Sequence, residues 1–259
     1  HRVPIRIMHS HSSRIIGSKR YVHLLLHKLH QKRIDSIANN YLTCGKTAGE
    51  WMYGGTSIEQ QVRIISNGVD LSRFQYDEIK RKETRRSLSI EDNYVVCHVG
   101  RFEHVKNHPF LLDVFKIIKE KNANARLVLV GNGTQYENIR QLVCDMGLKE
   151  SVMFLGVRDD VDSIYQAADI VIFPSLYEGF PVTVIETQAS GTPILMSDTI
   201  TSDARLKPNA VAMSLSDSPE EWARCAINNT ELYTDNSILY SNGFDIKNTI
   251  AELMEIYEI

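Results

Sequence analysis

Two acidic side chains flank a Phe-Pro pair at the predicted start of a helix, in the stretch SLYEGFPVTVIETQASGTP (175–193). Pro181 suits the first turn of a helix, because its missing N–H costs nothing there and its fixed φ is already helical. The amides that follow, from Val182 onward, have no partner within the helix, and the helix dipole strengthens them as donors. The stretch therefore predicts an anion-binding helix start between two carboxylates.

The two carboxylates are Glu178 and Glu186, with seven residues between them. Glu178 could cap the helix amides, and Glu186 could be an ordinary solvated helix residue. The helix is almost uncharged, however, and lies between predicted buried strands, where a lone carboxylate is costly unless a donor reaches it. A ligand with vicinal hydroxyls would supply that donor, so one acid could hold a ribose and the other a hexose.

A second candidate loop, GRFEHVKNH (100–108), follows the predicted strand YVVCHV (94–99). Gly100 lets the backbone approach a ligand closely, and Arg101 and Lys106 supply positive charge for phosphate oxygens. Taken alone, an Arg and a Lys after a strand are often merely solvated. Together with the two acids, this loop predicts a nucleotide-sugar site that needs no metal ligands and no cofactor.

Two further loops follow predicted strands. VGNGT, with Gly131 and Asn132, is equally consistent with a tight turn and with backbone that contacts a ligand. FLGVRDD places backbone groups of Gly156 and Val157 where they could hydrogen-bond a flat base edge. Ligands of open parallel sheets bind beyond the carboxyl ends of the strands, which is where all four loops are predicted to lie.

The elements that must position these loops alternate between short β-branched runs and amphipathic stretches. Strands buried on both faces and alternating with helices predict an α/β fold with a doubly wound parallel sheet of Rossmann-like type. The predicted strands are YVVCHV (94–99), RLVLV (126–130), VMFLG (152–156), DIVIFP (169–174) and PILMS (193–197). The first 90 residues predict only IRIMHS, YLTC and VRIIS, which are too few for a complete unit of this kind.

The composition is that of a globular protein, with 43% hydrophobic and 24% charged residues among 259. No apolar run approaches the roughly 20 residues of a membrane span, so an integral membrane protein is not expected. The four cysteines are far apart in the chain and are expected to be free thiols in the cytosol. Residues 1–90 hold 16 Lys/Arg against 7 Asp/Glu, or +9, whereas residues 91–259 hold 13 against 25, or −12. The basic portion could face anionic lipid.

Four segments together resemble, in order and spacing, the C-terminal domain of the retaining GT-B glycosyltransferases of the "group one" family, family 4 of the sequence-based classification. They are GRFEHVKNH, LVLVGNG, FLGVRDDV and DIVIFPSLYEGFPVTVIETQASGTPI. Within that family the similarity is greatest to bacterial exopolysaccharide and capsule glycosyltransferases. The resemblance implies a GT-B fold with a donor domain and the remnant of a second Rossmann-like domain.

The resemblance also implies roles for the matching residues. Glu186 would hold the ribose, Glu178 would contact the donor sugar, and Arg101 and Lys106 would clamp the diphosphate. The remaining donor-binding residues would be Gly100, Gly131, Asn132, Gly156, Val157, Gly179, Phe180, Pro181 and Val182.

The segment IRIMHSHSS resembles a late strand of the family's N-terminal domain. In the family, this strand is followed by a histidine that lies near the donor sugar and the acceptor. His9 and His11 are both candidates, and alternation along a strand puts them on the same face. His11 is favoured because it lies nearer the end of the strand. We count His11 with Arg101, Lys106 and Glu178 as the candidate catalytic residues.

The implied domains are an incomplete acceptor-side domain over 1–71, a linker over 72–93, a donor domain over 94–245 and a C-terminal helix over 246–259 that packs back across the domains. The polar linker would contain the basic run KRKETRR. The chain begins with His1, and most of the family's acceptor half has no counterpart in it. We therefore expect a fragment that binds donor and possesses at most part of the acceptor site.

The implied activity is a retaining, metal-independent hexosyltransferase of the EC 2.4 class. It would move a hexose or N-acetylhexosamine from a nucleoside diphosphate sugar, with UDP expected, to a growing surface polysaccharide or lipid-linked glycan. We expect a cytoplasmic protein with a peripheral contact to anionic membrane and no nucleic-acid partner. The alternatives are a non-hydrolysing UDP-sugar epimerase of the same fold, a metal hydrolase suggested by the segment HSH, and a donor-binding fragment without turnover.

Overall fold

The computed structural model describes residues 3–12, 20–31 and 33–257. Its strands, in chain order, are β1 (Ile7–Ser10), β2 (Asn40–Thr43), β3 (Arg63–Ile64), β4 (Tyr94–Val99), β5 (Ala125–Val130), β6 (Val152–Gly156), β7 (Ile170–Phe173), β8 (Ile194–Ser197) and β9 (Ala210–Met213). Its helices are α1 (Arg20–Gln31), α2 (Ile34–Ile37), α3 (Lys46–Tyr53), α4 (Leu71–Phe74), α5 (Glu78–Ser87), α6 (His108–Lys121), α7 (Tyr136–Asp145), α8 (Val161–Ala167), α9 (Val182–Ala189), α10 (Pro219–Asn228), α11 (Ser237–Ser241) and α12 (Ile246–Tyr257). These elements form two compact units, and each unit contains a parallel sheet.

The larger unit comprises Leu71–Tyr177 and Thr183–Ser241. Its six-stranded sheet has the order β6-β5-β4-β7-β8-β9, and every neighbouring pair is parallel. All residues of β7 and β8 are buried, on both faces of the sheet, which is why these strands are continuous apolar runs in the sequence. The predicted doubly wound parallel sheet is confirmed.

The core of the larger unit includes the buried faces of α6 and α10. Leu111 and Phe115 of α6 and Trp222 of α10 are fully buried in one cluster with strand residues such as Leu127 and Ile170. Burying side chains of this size contributes about 1.5–3 kcal/mol each relative to leaving them exposed. This packing holds the helices against the sheet and thereby fixes where the strands end.

The strand order of the larger unit reverses at β4. From β4 the chain proceeds outward to β5 and β6, and it then returns to place β7 on the other side of β4. The point between β4 and β7 is therefore the topological switch point of the sheet, and open parallel sheets bind ligands at its carboxyl edge. Candidate residues in the loops after β4, β5 and β6 lie at this edge.

The segment 72–93, expected to be a polar linker, is folded onto the larger unit. It contains α5, whose N-cap residue Asp77 accepts hydrogen bonds from two backbone amides of the first turn. Arg81 and Arg85 form ion pairs with Asp169 at 2.5 and 3.3 Å. Arg81 and Arg85 of the basic run therefore bind oxygen atoms at the amino edge of the sheet and are largely removed from solvent.

The smaller unit comprises the residues up to Asp70, the segment Glu178–Val182 and the residues from Asn242 onward. Its sheet has the order β1-β2-β3 and is parallel throughout. Leu42 of β2 and Ile65 are buried against Ile256 of α12. The C-terminal helix is thus part of this unit, where its apolar face completes a small core.

Candidate functional site

The loops after β4, β5 and β6 are joined by backbone hydrogen bonds that continue the sheet. Gly100 donates to the carbonyl of Val130 at 3.0 Å, and Gly131 donates to the carbonyl of Gly156 at 2.8 Å. Three of the candidate glycines therefore lie side by side at the carboxyl edge. They form a continuous backbone surface, as expected for a ligand-binding edge.

Gly131 is required for this arrangement. Its φ is +132°, and a Cβ built on it would lie 2.0 Å from the carbonyl oxygen of Gly100. Gly133 is similarly constrained, since its Cβ would lie 2.6–2.8 Å from the backbone of Phe102. The Oδ1 atom of Asn132 accepts a hydrogen bond from the Gly133 amide at 2.8 Å, so this side chain is used within the turn. Close backbone approach accounts for both glycines of VGNGT.

We expect Gly131→Ala to lower the free energy of unfolding by about 2 kcal/mol, because a side chain at this φ and this distance forces the two loops apart. Gly147→Ala is the matched control: its φ is +70°, but nothing lies within 4 Å of its Cβ position. That control should cost about 1 kcal/mol from backbone strain alone. Urea unfolding compares the two variants, and equal losses would contradict the close approach of the loops.

Arg101 and Lys106 both lie in the loop after β4. Arg101 is exposed, whereas Lys106 is half-buried. The lysine stem passes beneath Gly100, with Cε 3.3 Å from the position that a Cβ would take there. Its Nζ lies 4.4 Å from the ring centroid of Phe173, at the end of β7, in a cation–π contact. Lys106 is therefore held between the ends of β4 and β7.

The loop after β6 is the candidate base-binding segment. Gly156 has a φ of +66°, and the side chain of Val157 is 75% exposed. Arg158 forms two hydrogen bonds with the carboxylate of Asp160, at 2.8 and 2.7 Å. The loop is thus fixed where it enters α8, while Val157 remains open to solvent.

Glu186 lies in the second turn of α9 and is half-buried. Its Oε2 atom accepts a hydrogen bond from the hydroxyl of Tyr165 at 3.1 Å. Burial raises the pKa of Glu186, and the Tyr165 hydrogen bond and the charge of Arg73 oppose that rise. The Tyr165 hydroxyl thus supplies one of the hydrogen bonds that a buried carboxylate needs. Within the described residues Oε1 accepts no hydrogen bond, so it can accept one from a ligand hydroxyl.

An ion cluster lies on the α8 side of Glu186 and was not predicted from the sequence. Arg73 donates to Oδ1 of Asp162 from two nitrogens, at 3.1 and 2.9 Å, and Lys80 donates to Oδ2 at 2.7 Å. Burial raises the pKa of Asp162, but the hydrogen bonds from Lys80 and Arg73 outweigh it and lower the pKa overall. Arg73 and Lys80 come from the segment expected to be a linker, where no local signal marks them.

Two buried histidines lie directly behind the loop after β4. His98 is the penultimate residue of β4 and His108 is the first residue of α6, and their ring centroids are 4.8 Å apart. His108 stacks on Phe102 at 4.4 Å, and His98 stacks on Phe173 at 5.8 Å. Burial lowers the pKa of His98 well below its ordinary value and that of His108 to about 4, and the charge of Lys106 contributes to both. Both rings are therefore neutral at pH 7.

The depressed pKa values predict a loss of stability in mild acid. The ordinary pKa of histidine is 6.5, and that of folded His108 is about 4, so between these values the unfolded chain binds a proton that the folded chain does not. The stability that this residue contributes is complete above pH 6.5 and is lost as the pH falls toward 4. We expect about 2 kcal/mol less stability at pH 5 than at pH 7 from His108 alone. Urea unfolding of the wild type and of His108→Phe at both pH values measures this; identical pH dependence would refute it.

In the smaller unit, the segment Glu178–Val182 lies against the chain that follows β1. A Cβ on Gly179 would lie 2.7 Å from the carbonyl oxygen of His11, so the two backbones are in close approach. Phe180 stacks on Phe244, with ring centroids 5.4 Å apart. Pro181 immediately precedes α9, which begins at Val182. The smaller unit thus brings Gly179 against the backbone at His11.

His9 and His11 lie on the same face, as alternation along β1 predicts, with ring centroids 4.0 Å apart. The Nε2 atom of His9 is buried and has no hydrogen-bond partner among the described residues. Burial, and then the charge of His11, lowers the pKa of His9 to about 4. His11 is exposed and is the more accessible of the two rings.

The segment HSH also suggested a metal site. Over the residues that the structure describes, no group of three or more His, Cys, Asp or Glu side chains could hold a metal ion. Within the same residues, no helix combines the length and the apolar character needed to cross a membrane.

The sequence is similar to a known family and to named relatives. The family described as "Glycosyl transferases group 1" matches residues 80–222. EpsF of Bacillus subtilis (strain 168), which is named as a glycosyltransferase, is 30% identical over 265 residues, which cover 99% of this chain and 69% of that protein. The UDP-Gal:alpha-D-GlcNAc-diphosphoundecaprenol alpha-1,3-galactosyltransferase of Escherichia coli is 32% identical over 142 residues, which cover 53% of this chain and 37% of that protein.

Solved structures share the fold. HepE of Anabaena, solved in complex with UDP and glucose, matches with a TM-score of 0.81 at 19% identity, over 97% of this chain and 71% of that one. TarM matches with a TM-score of 0.74 at 14% identity, over 98% of this chain and 50% of that one. At these identities the likeness shows the fold alone, and it confirms the expected GT-B class.

Proposed function

This chain belongs to the glycosyl transferases group 1 family, and on that premise we propose that it transfers a hexose or N-acetylhexosamine from a nucleoside diphosphate sugar. The proposed nucleotide is UDP, and the proposed acceptor is a growing surface polysaccharide or a lipid-linked glycan. In support, HepE was solved with UDP and glucose, and the Escherichia coli relative is named for a UDP-Gal donor and a diphosphoundecaprenol acceptor.

The carboxyl edge of the larger unit's sheet carries this proposal. The half-buried ammonium of Lys106 follows β4, and the half-buried carboxylate of Glu186 lies on the helix after β7; these two strands are direct neighbours. A cation in this position suits a diphosphate. A carboxylate with one uncommitted oxygen suits a ribose hydroxyl, which is a hydrogen-bond donor.

In the proposed reaction the diphosphate gains negative charge as the bond between its oxygen and the sugar C1 breaks. Lys106 and Arg101 neutralise this charge, and the amides at the start of α9 add to their effect without a metal ion. The acceptor hydroxyl attacks C1 on the face from which the diphosphate leaves, so the anomeric configuration is retained. Glu178 and His11 are proposed to contact the donor sugar.

A peripheral contact with anionic lipid is proposed for the smaller unit. Helix α1 exposes apolar side chains, among them Tyr21, Leu25 and Leu29 at 72%, 61% and 60%. Residues 1–70, which lie in this unit, also hold 10 Lys/Arg against 4 Asp/Glu, or +6. Co-sedimentation with vesicles should increase with their anionic lipid content, and binding that ignores lipid charge would contradict this contact.

A thermal-shift screen of nucleoside diphosphates and their sugars tests the donor assignment, because a ligand that binds only the folded chain raises its apparent stability. UDP and UDP-sugars should raise the melting temperature more than UMP does. No shift with any nucleoside diphosphate or its sugar would contradict the assignment. Conversion of a UDP-sugar to an isomer without acceptor would instead identify an epimerase.

A further inference from the structure

His98 is fixed in one tautomer by its neighbour on β7. The ring is 0% exposed, and its Nδ1 atom lies 2.9 Å from the carbonyl oxygen of Ile172. A carbonyl oxygen only accepts hydrogen bonds, so Nδ1 must carry the proton of the neutral ring. The Nε2 atom therefore carries a lone pair and can act only as an acceptor.

That lone pair faces the loop that carries Lys106. Nε2 of His98 lies 3.2 Å from the position that a Cβ on Gly100 would take, and Cε and Cδ of Lys106 lie 3.3 and 3.4 Å from the same point. The Lys106 ammonium, one bond beyond Cε, lies over the Phe173 ring on which His98 stacks. The imidazole and the lysine side chain thus share one small space beneath Gly100.

Nε2 of His98 is buried and has no hydrogen-bond partner among the described residues. A buried acceptor without a donor is destabilising, and such an atom usually marks a missing contact. The neighbouring ring of His108 also has a buried Nε2 without a partner. The Lys106 ammonium has three N–H donors, so it can donate to His98 in addition to its other contacts.

We propose that His98 is a positioning residue for Lys106. In this proposal the lysine ammonium donates one N–H to Nε2, and this bond holds the ammonium beneath Gly100 with its other N–H groups directed at the ligand. A carboxylate in this place would neutralise the charge of the lysine. The neutral imidazole fixes the lysine and leaves its charge available to the ligand. The consequence for the reaction rests on the proposed function, in which the ligand group is the β-phosphate of a nucleoside diphosphate.

His98→Asn and His98→Gln separate the roles of the two ring nitrogens. An Asn amide reaches the Nδ1 position and can keep the hydrogen bond to Ile172, but it places no acceptor at Nε2, whereas a Gln amide reaches the Nε2 position. We expect His98→Asn to weaken UDP binding about tenfold, the size of one hydrogen bond to a charged group. It should leave UMP binding unchanged, and His98→Gln should retain most of the UDP affinity.

His108→Phe is the matched control, because His108 belongs to the same aromatic stack but does not approach Gly100 as His98 does. Equal losses of UDP affinity in His98→Asn and His108→Phe would show a packing role and overturn the proposal. Equal losses for UDP and UMP would do the same. Lys106→Ala tests the underlying site: if this variant binds UDP as the wild type does, the proposed donor site fails independently of His98.

The tautomer and the lysine contact can be measured without a nucleotide. Two-bond ¹H–¹⁵N spectra of the 259-residue chain at pH 7 should show Nδ1 of His98 protonated and Nε2 unprotonated. Lys106→Ala should shift the Nε2 resonance, because it removes the proposed donor. A protonated Nε2, or an Nε2 resonance that Lys106→Ala leaves unchanged, would overturn the proposal.

Discussion

Lys106→Ala is expected to lower kcat/KM for sugar transfer by about 10²–10³-fold, the effect of removing one preorganised partner of the charge that develops in the transition state. Lys106 is half-buried over the ring of Phe173, where less water screens its charge than at the exposed Arg101. Negative charge on the leaving diphosphate is greatest in the transition state. We therefore expect kcat to fall by a larger factor than KM rises.

Two comparison variants test whether the effect depends on a positive charge at position 106. Lys106→Arg keeps the charge but changes the stem that passes beneath Gly100, so partial activity is expected. Lys116 is an exposed lysine of α6, and Lys116→Ala should leave the rate unchanged. Steady-state kinetics with a UDP-sugar donor measure all three. A near-normal kcat/KM in Lys106→Ala would refute its assignment to the diphosphate.

Glu186→Ala is expected to weaken the binding of ribonucleoside diphosphates by about 10- to 100-fold, because it removes the charged acceptor of a ribose hydroxyl. The transfer rate at low donor concentration should fall by a similar factor. The folded chain should persist, with a loss of about 1–3 kcal/mol because the hydroxyl of Tyr165 loses its acceptor. Glu186→Gln retains an oxygen for Tyr165 and should recover most of that stability without recovering the binding.

A ligand series separates the ribose contact from other effects of this substitution. The wild type should bind UDP more tightly than 2′,3′-dideoxy-UDP in calorimetric titrations. Glu186→Ala should bind the two ligands alike, since the group that distinguishes them is gone. A preference for UDP that survives in Glu186→Ala would mean that the ribose hydroxyls are recognised elsewhere.

The sheet of the larger unit could largely be predicted, because strands buried on both faces appear in the sequence as continuous apolar runs. YVVCHV and VMFLG correspond residue for residue to β4 and β6. Strand β9, Ala210–Met213, was not predicted from the sequence. That strand is short and lies at the edge of the sheet, and two of its four residues are alanines, which have a low β propensity.

The basic segment before β4 could not be predicted, because its partners are distant in the chain. A run such as KRKETRR is normally a solvated surface, since Lys and Arg are seldom buried without partners. Arg85 donates to the carbonyl of Ala167 and to the carboxylate of Asp169, which are 82 and 84 positions away. Only the folded sheet brings these oxygens to α5.

The candidate site was likewise predictable only in part. The strand-end loops and the two acids could be located because residue type and position after a strand are local features. Tyr165, which donates to Glu186, lies on a different helix, and His98 is indistinguishable in the sequence from an interior strand residue. The spacing also could not show that the segment Glu178–Val182 belongs to the smaller unit while Glu186 belongs to the larger one.

A crystal structure of this chain with UDP bound would show whether the carboxyl edge of the larger unit's sheet holds a nucleoside diphosphate. We predict the β-phosphate within hydrogen-bonding distance of the Lys106 ammonium and of the backbone at Gly100. The ribose hydroxyls should contact Glu186, with Tyr165 still donating to its Oε2. A nucleotide bound elsewhere on the chain, or bound at this edge with its ribose turned away from Glu186, would contradict the account.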